Sequence, residues 1–141
     1  MTVIGLGNEW RGDDGVGLEV ARRVGGRVLE GEPLALVDLV DSEDDVVLVD
    51  AVSSDAAPGT IFRFEAGDEP LPAPLFGAAS THALGLADAV ELARSLGRLP
   101  RRVRVYGIEG ESFAFGKGLS AAVAAAADRV TEEVLACTRS I

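Results

Sequence analysis

The chain has 141 residues, 23 acidic against 13 basic side chains for a formal net charge of -10, and a hydrophobic fraction of 48%. That is the length of one globular domain, spanning 1–141, with enough apolar residues for a core, so disorder is excluded. The charge would repel a phosphate backbone, and Arg98, Arg101, Arg102 and Arg104 gather only around a predicted strand as a solvated edge or loop, so nucleic acid is not an expected partner.

Strand and helix patterns alternate from the first residues. Val3-Ile4-Gly5-Leu6 is a short apolar run leading into glycine and Asn8, a buried strand and a turn. A helix is predicted from about Asp14 to Val24, with Val16, Val20, Ala21 and Val24 on one face, Asp13 capping its start and Gly25-Gly26 stopping it. Arg27 to Glu30 is a weak second strand, and a short helix over Leu34 to Leu39 follows Pro33. Val46-Val47-Leu48-Val49 is the clearest buried strand and ends in Asp50. Thr60 to Phe64 is the next strand, reached through only nine residues, Ala51 to Gly59. A parallel crossover needs about a dozen or more, so the two strands are expected to pair antiparallel.

Gly67 to Ala79 is predicted as a surface loop rich in proline, glycine and alanine. A helix then runs from Thr81 or His82 to Leu96, with Leu86, Val90, Ala93 and Leu96 on one face. Val103 to Tyr106 is a strand and Glu109 to Gly118 a loop. Ser120 is expected to cap a last helix carrying Val123, Ala127, Val130, Val134 and Cys137 on one stripe. The pattern is that of an α/β domain with helices on both faces of a mostly parallel sheet.

Cys137 is the one cysteine, so no intramolecular disulfide forms, and its place on the stripe suits a buried, inert thiol. Met1-Thr2-Val3-Ile4-Gly5 lacks the basic region of a signal peptide, and no apolar run approaches the roughly 20 residues that span a bilayer. A soluble, cytoplasmic protein with no membrane partner is the expectation.

In open α/β sheets ligands bind at the carboxyl ends of the strands. Asp14, Asp50 and His82 are all predicted at that edge. Two carboxylates and one imidazole make an oxygen and nitrogen set suited to a divalent transition metal, and a place near a helix N-terminus favours the neutral ring. Each has a plainer role open to it: capping for Asp14, a turn for Asp50, a satisfied polar group for His82. For Asp13 capping is the preferred role.

Gly5-Leu6-Gly7 after a strand is the start of a dinucleotide fingerprint, but Trp10 stands where the third glycine belongs. No Walker loop and no nucleophile elbow is present. With one histidine, nucleophilic catalysis by a side chain has no evident machinery.

The run from Gly5 through Asn8, Asp13 and Asp14 to Gly17 resembles the opening motif of the hydrogenase maturation endopeptidases. Val49-Asp50-Ala51-Val52 resembles their second motif, and Ser80-Thr81-His82-Ala83-Leu84-Gly85-Leu86 their third. Tyr106 to Phe113, continuing to Gly118-Leu119-Ser120, is similar to their closing segment. The resemblance implies a three-layer α/β/α sandwich on a twisted, mostly parallel sheet of about five strands, one of them antiparallel. It implies an endopeptidase that removes the C-terminal extension of a nickel–iron hydrogenase large-subunit precursor after nickel insertion. Asp14, Asp50 and His82 then serve as both catalytic and metal-reading residues, with the nickel supplied by the precursor.

The chain departs from the family in one stretch, where Glu30-Gly31-Glu32 replaces an aspartate followed by glycine and threonine, which implies a trimmed second strand and following helix. Glu109, Phe113 and Phe115 are left with two readings, contact with substrate or packing at the sheet edge. Trp10 and Arg11, in the loop beside Asp14, are likewise left between a protein-binding surface and packing of their own loop. A non-enzymatic nucleotide-binding or regulatory module is the alternative, distinguished by nucleotide binding without metal.

Overall fold

The computed structural model describes residues 1–77 and 85–139. Five strands form one sheet in the order β2-β1-β3-β5-β4: β1 is Thr2–Leu6, β2 Arg27–Leu29, β3 Asp45–Val52, β4 Ile61–Glu65 and β5 Arg102–Glu109. Neighbouring pairs are parallel except β4 with β5. The β4 strand does run against the others, but its partner is β5 rather than β3, contrary to the expected pairing. The chain leaving β3 passes beyond β5 to reach the free edge, so β5 fills the place beside β3.

Alternation along the strands supplies both faces of the sheet. Val46 and Leu48 join Ile4, Leu6, Val103 and Val105 under α2 (Leu36–Val40), α3 (Ala73–Gly77) and α4 (Leu86–Ser95). Val47 and Val49 face the other way with Val3 and Ile108, under α1 (Val16–Arg23) and α5 (Ala121–Arg139). This is an α/β/α sandwich, and both faces of the central β3 are buried, which is why its sequence is an unbroken apolar run.

Several boundaries move. Residues Gly12–Gly15 form a 3-10 turn, so α1 starts at Val16 rather than Asp14. The expected surface loop over 67–79 holds α3, whose Phe76 is buried. The helix expected from Thr81 or His82 starts at Leu86, where the Asp88 carboxylate accepts from the Gly85 amide at 3.0 Å. Leu96 lies past its end and is exposed. Thr81 and His82 fall outside the described residues. Both β2, with three residues, and α2, with five, are short.

Two further expectations need correction. Arg104 is not a solvated edge residue, because its side chain is 13% exposed and lies 3.1 Å from Asp45. Cys137 is half-buried rather than fully covered.

Candidate active site

The glycines of the first motif are used for packing. A methyl group on Gly17 would strike the carbonyl oxygens of Val49 and Leu6, and one on Gly5 would strike the Gly17 backbone and the Ala21 side chain. Only bare backbone lets the start of α1 lie directly on β1 and β3. That contact sets Asp14 beside the carboxyl end of β3, where Asp50 sits.

Asp50 lies inside β3 rather than ending it, opposite Gly107 of β5. Its alternation puts it on the α4 face with Leu48 and Val52. Gly107 leaves room beside it that the Phe76 ring fills, 3.2 Å from where a Cβ would stand. The Asp50 carboxylate accepts a hydrogen bond from the Ala51 amide at 2.9 Å. Burial pushes its carboxyl well above the usual carboxylate range, and the negative charge of Asp14 pushes it further. Part of the residue still reaches solvent, so this is a carboxyl sunk into protein yet open on one side.

Asp14 is itself buried, and its carboxylate lies 3.4 Å from the Arg11 guanidinium. The structure therefore brings two of the three expected residues together. Among the described residues no group of three metal-ligating side chains occurs, and His82 lies outside them.

Asp13 was expected to cap a helix and does something else. Its buried carboxylate accepts from the amides of Glu111 (2.8 Å) and Ser112 (3.1 Å), and from both the amide (2.8 Å) and the hydroxyl (2.9 Å) of Ser120. Burial pushes this carboxyl up, but the hydrogen bonds together outweigh it and leave the acid below its ordinary range. Ser120 thus spends its hydroxyl on Asp13 rather than on capping α5. Backbone bonds from Gly12 to Gly116 (2.8 Å) and from Asp13 to Ser112 (2.9 Å) complete a clasp between the first and last motifs.

Glu109, one of the residues left between substrate contact and packing, is 2% exposed. Its carboxylate accepts from the Ser54 amide at 2.8 Å and the Ser54 hydroxyl at 2.5 Å, which fixes the chain just beyond β3. Phe113 is half-buried against the α1–α5 core, with the Arg11 guanidinium 5.7 Å from its ring centre. Phe115 does not pack at the sheet edge: it is 88% exposed and its ring stacks on that of Trp10. Nothing local in the sequence marks Asp13, Ser54 or Glu109 for these roles, because each partner is 55 residues or more away.

Residues 28–137 match the family model HycI, described as hydrogenase maturation protease. The chain is 31% identical over 150 residues to the hydrogenase 2 maturation protease of Escherichia coli (strain K12), covering 99% of this chain and 90% of that one. The chain belongs to the hydrogenase maturation protease family. An Escherichia coli endopeptidase solved in solution superposes with a TM-score of 0.81 at 28% identity, covering 99% of this chain and 93% of that chain. The [NiFe] hydrogenase maturation protease HybD of Thermococcus kodakarensis does so with a TM-score of 0.74 at 30% identity, covering 97% and 99%.

As a hydrogenase maturation protease the chain is a peptidase with the α/β fold of that family. Membership sets aside the alternative of a non-enzymatic nucleotide-binding or regulatory module. The contact of Gly5 with the Gly17 backbone, and the positive φ of Gly7 beside the Asp14 carbonyl, account for the glycine pattern that suggested it. Among the described residues no helix is long and apolar enough to cross a membrane.

Proposed function

We propose that this protease removes the C-terminal extension of a nickel–iron hydrogenase large-subunit precursor in the cytoplasm, and that it reads the precursor's nickel with Asp14, Asp50 and His82. The observation that carries the reading is the Asp14–Asp50 pair. Two acidic side chains share one sheet edge, one raised by burial and by the charge of the other. Such a pair is relieved by a divalent cation, and with an imidazole it offers donors suited to nickel.

Nickel held by the substrate would supply a Lewis acid at the scissile bond. The protein's own contribution is placement. Arg11 offsets part of the charge of Asp14 from 3.4 Å, the Asp13 clasp fixes the turn that carries Asp14, and Glu109 fixes the chain after Asp50 through Ser54. A site with so few ligands holds the ion only together with those of the precursor. Specificity is then a difference between loaded and empty states of one partner.

The test is incubation of the protein with nickel-loaded and nickel-free precursor, read by intact mass, alongside the nickel content of the dialysed free protein. Loss of a short C-terminal segment from the loaded precursor alone is expected, with little nickel retained by the protease. Equal cleavage of both precursors, or stoichiometric nickel in the free protein, would overturn nickel recognition and leave the peptidase assignment standing.

A further inference from the structure

Two large aromatic side chains stand in solvent beside Asp14. Trp10 is 48% exposed and Phe115 88%, and their rings stack with centres 6.1 Å apart and planes 15° from parallel. The two belong to opposite ends of the sequence, and the backbone holds them together. The Gly116 amide donates to the Trp10 carbonyl at 2.7 Å, and the Gly12 amide donates to the Gly116 carbonyl at 2.8 Å. The backbone therefore holds the two ring-bearing residues side by side, and a ligand that covers them does not have to bring their loops together.

One cation lies against the face in a chain of net charge -10. Lys117, the chain's one lysine, places its Nζ 4.4 Å from the centre of the Trp10 ring. Its acidic neighbour Glu9, at 3.9 Å, also faces Arg22 at 3.5 Å, and Arg22 in turn meets Glu30 at 3.8 Å, so Lys117 is the cation of this group that lies against the ring. On the other side Arg11 touches both Asp14 and the Phe113 ring, which makes the surface continuous with the carboxylate pair.

We infer that the Trp10–Phe115 face is the docking surface for an extended segment of the precursor next to the scissile bond. The segment lays an apolar side chain across the two rings and presents a carboxylate to Lys117. The inference rests on the proposed function, and it follows from placement. A chain cut at the Asp14–Asp50 pair must run past the loop that carries Asp14, and this loop displays the aromatic face. Burying two exposed rings against substrate supplies binding that does not depend on the metal. Phe115 is free to serve because, among the described residues, its ring stacks on Trp10 and stands otherwise in solvent.

The experiment compares the wild-type protein with Phe115→Ala, the Trp10→Ala/Phe115→Ala double variant and Lys117→Glu, using nickel-loaded precursor as the probe. A roughly tenfold or larger rise in KM for the double variant is expected, since exposed aromatic anchors carry losses of that order, with kcat and melting temperature nearly unchanged. Phe115→Ala and Lys117→Glu should shift KM in the same direction by less. Unaltered KM in the double variant, while the wild-type protein cuts the precursor, would discard the docking surface and keep the proposed function. A wild-type dimer that Phe115→Ala converts to an equally active monomer would assign the face to self-association and also discard it. A wild-type protein unable to cut loaded precursor would remove the proposed function and this inference with it.

Discussion

The carboxylate of Asp13 holds Ser120 twice, through its amide at 2.8 Å and its hydroxyl at 2.9 Å, while also binding the amides of Glu111 and Ser112. Every donor in this cluster needs an acceptor. An asparagine side chain in its place has only one oxygen, so its NH2 group must face at least one backbone N–H in either orientation. Asp13→Asn should cost about 1–3 kcal/mol for the unpaired donor. Urea denaturation at pH 7 measures it, and a variant as stable as wild type would show the clasp to be dispensable.

The same carboxylate gives the clasp an acid limit. Its acid is below the ordinary value in the folded protein, so the unfolded chain binds the proton first. The stabilisation is complete above the unfolded value of 3.8 and is lost as the pH falls from there through the folded value. The stability gap between wild type and Asp13→Asn should therefore be constant near neutrality and close below about pH 4.

Asp50 has the opposite sign. Its folded acid is raised, so the folded state binds the proton more tightly than the unfolded chain does. The resulting penalty is absent below 3.8 and grows as the pH rises towards the folded value. Asp50→Asn should raise the melting temperature at pH 7 and converge on wild type in acid, while abolishing cleavage. Wild type melting above the variant at pH 7 would contradict this account of the pair.

Asp14→Asn and His82→Ala should lower cleavage of loaded precursor on the order of 100-fold or more, as loss of a positioned group at the reacting centre does. Circular dichroism should show folded protein in both cases. Normal processing by either variant would remove that residue from the proposed site.

Gly17→Ala is expected to be among the most damaging single methyl groups that the chain could receive. The new Cβ would lie 2.5 Å from the Leu6 carbonyl oxygen and closer still to that of Val49, both backbone atoms of the sheet. Side-chain repacking cannot relieve that contact, so the loss should reach or exceed about 3 kcal/mol. A thermal melt within about 3 °C of wild type would show that α1 can lift off the strands.

The sequence carries the parts of this fold that depend on neighbours along the chain. The valine run of β3 and the apolar stripes of α1 and α5 are local patterns, and each element lies where its pattern sits. The partner of β4 is not a local property. Chain length between strands gave its direction correctly but pointed to the wrong neighbour, since β4 pairs with β5 and not with β3. At the site, the nearness of Asp14 and Asp50 is legible from the first motif and the carboxyl half of β3, although Asp50 lies inside that strand rather than ending it. Asp13 and Glu109 are not, since a buried acid tied to a distant loop has the same local sequence as a solvated cap. Phe76 was hidden by the prolines around it, which suggested loop while the ring entered the core.

The clasp also fixes when during synthesis the working edge can exist. Asp13 and Ser120 are 107 residues apart. At translation rates of about 5–20 residues per second, the turn bearing Asp14 waits roughly 5–20 s before its fastener is made. During that interval the nascent chain has made Asp14 and then Asp50, but not the loop that secures the turn or the ring that faces Trp10. The aromatic face and the braced carboxylate pair come into being together, once the chain through Ser120 has been made, which spares the growing chain a half-built version of the proposed site.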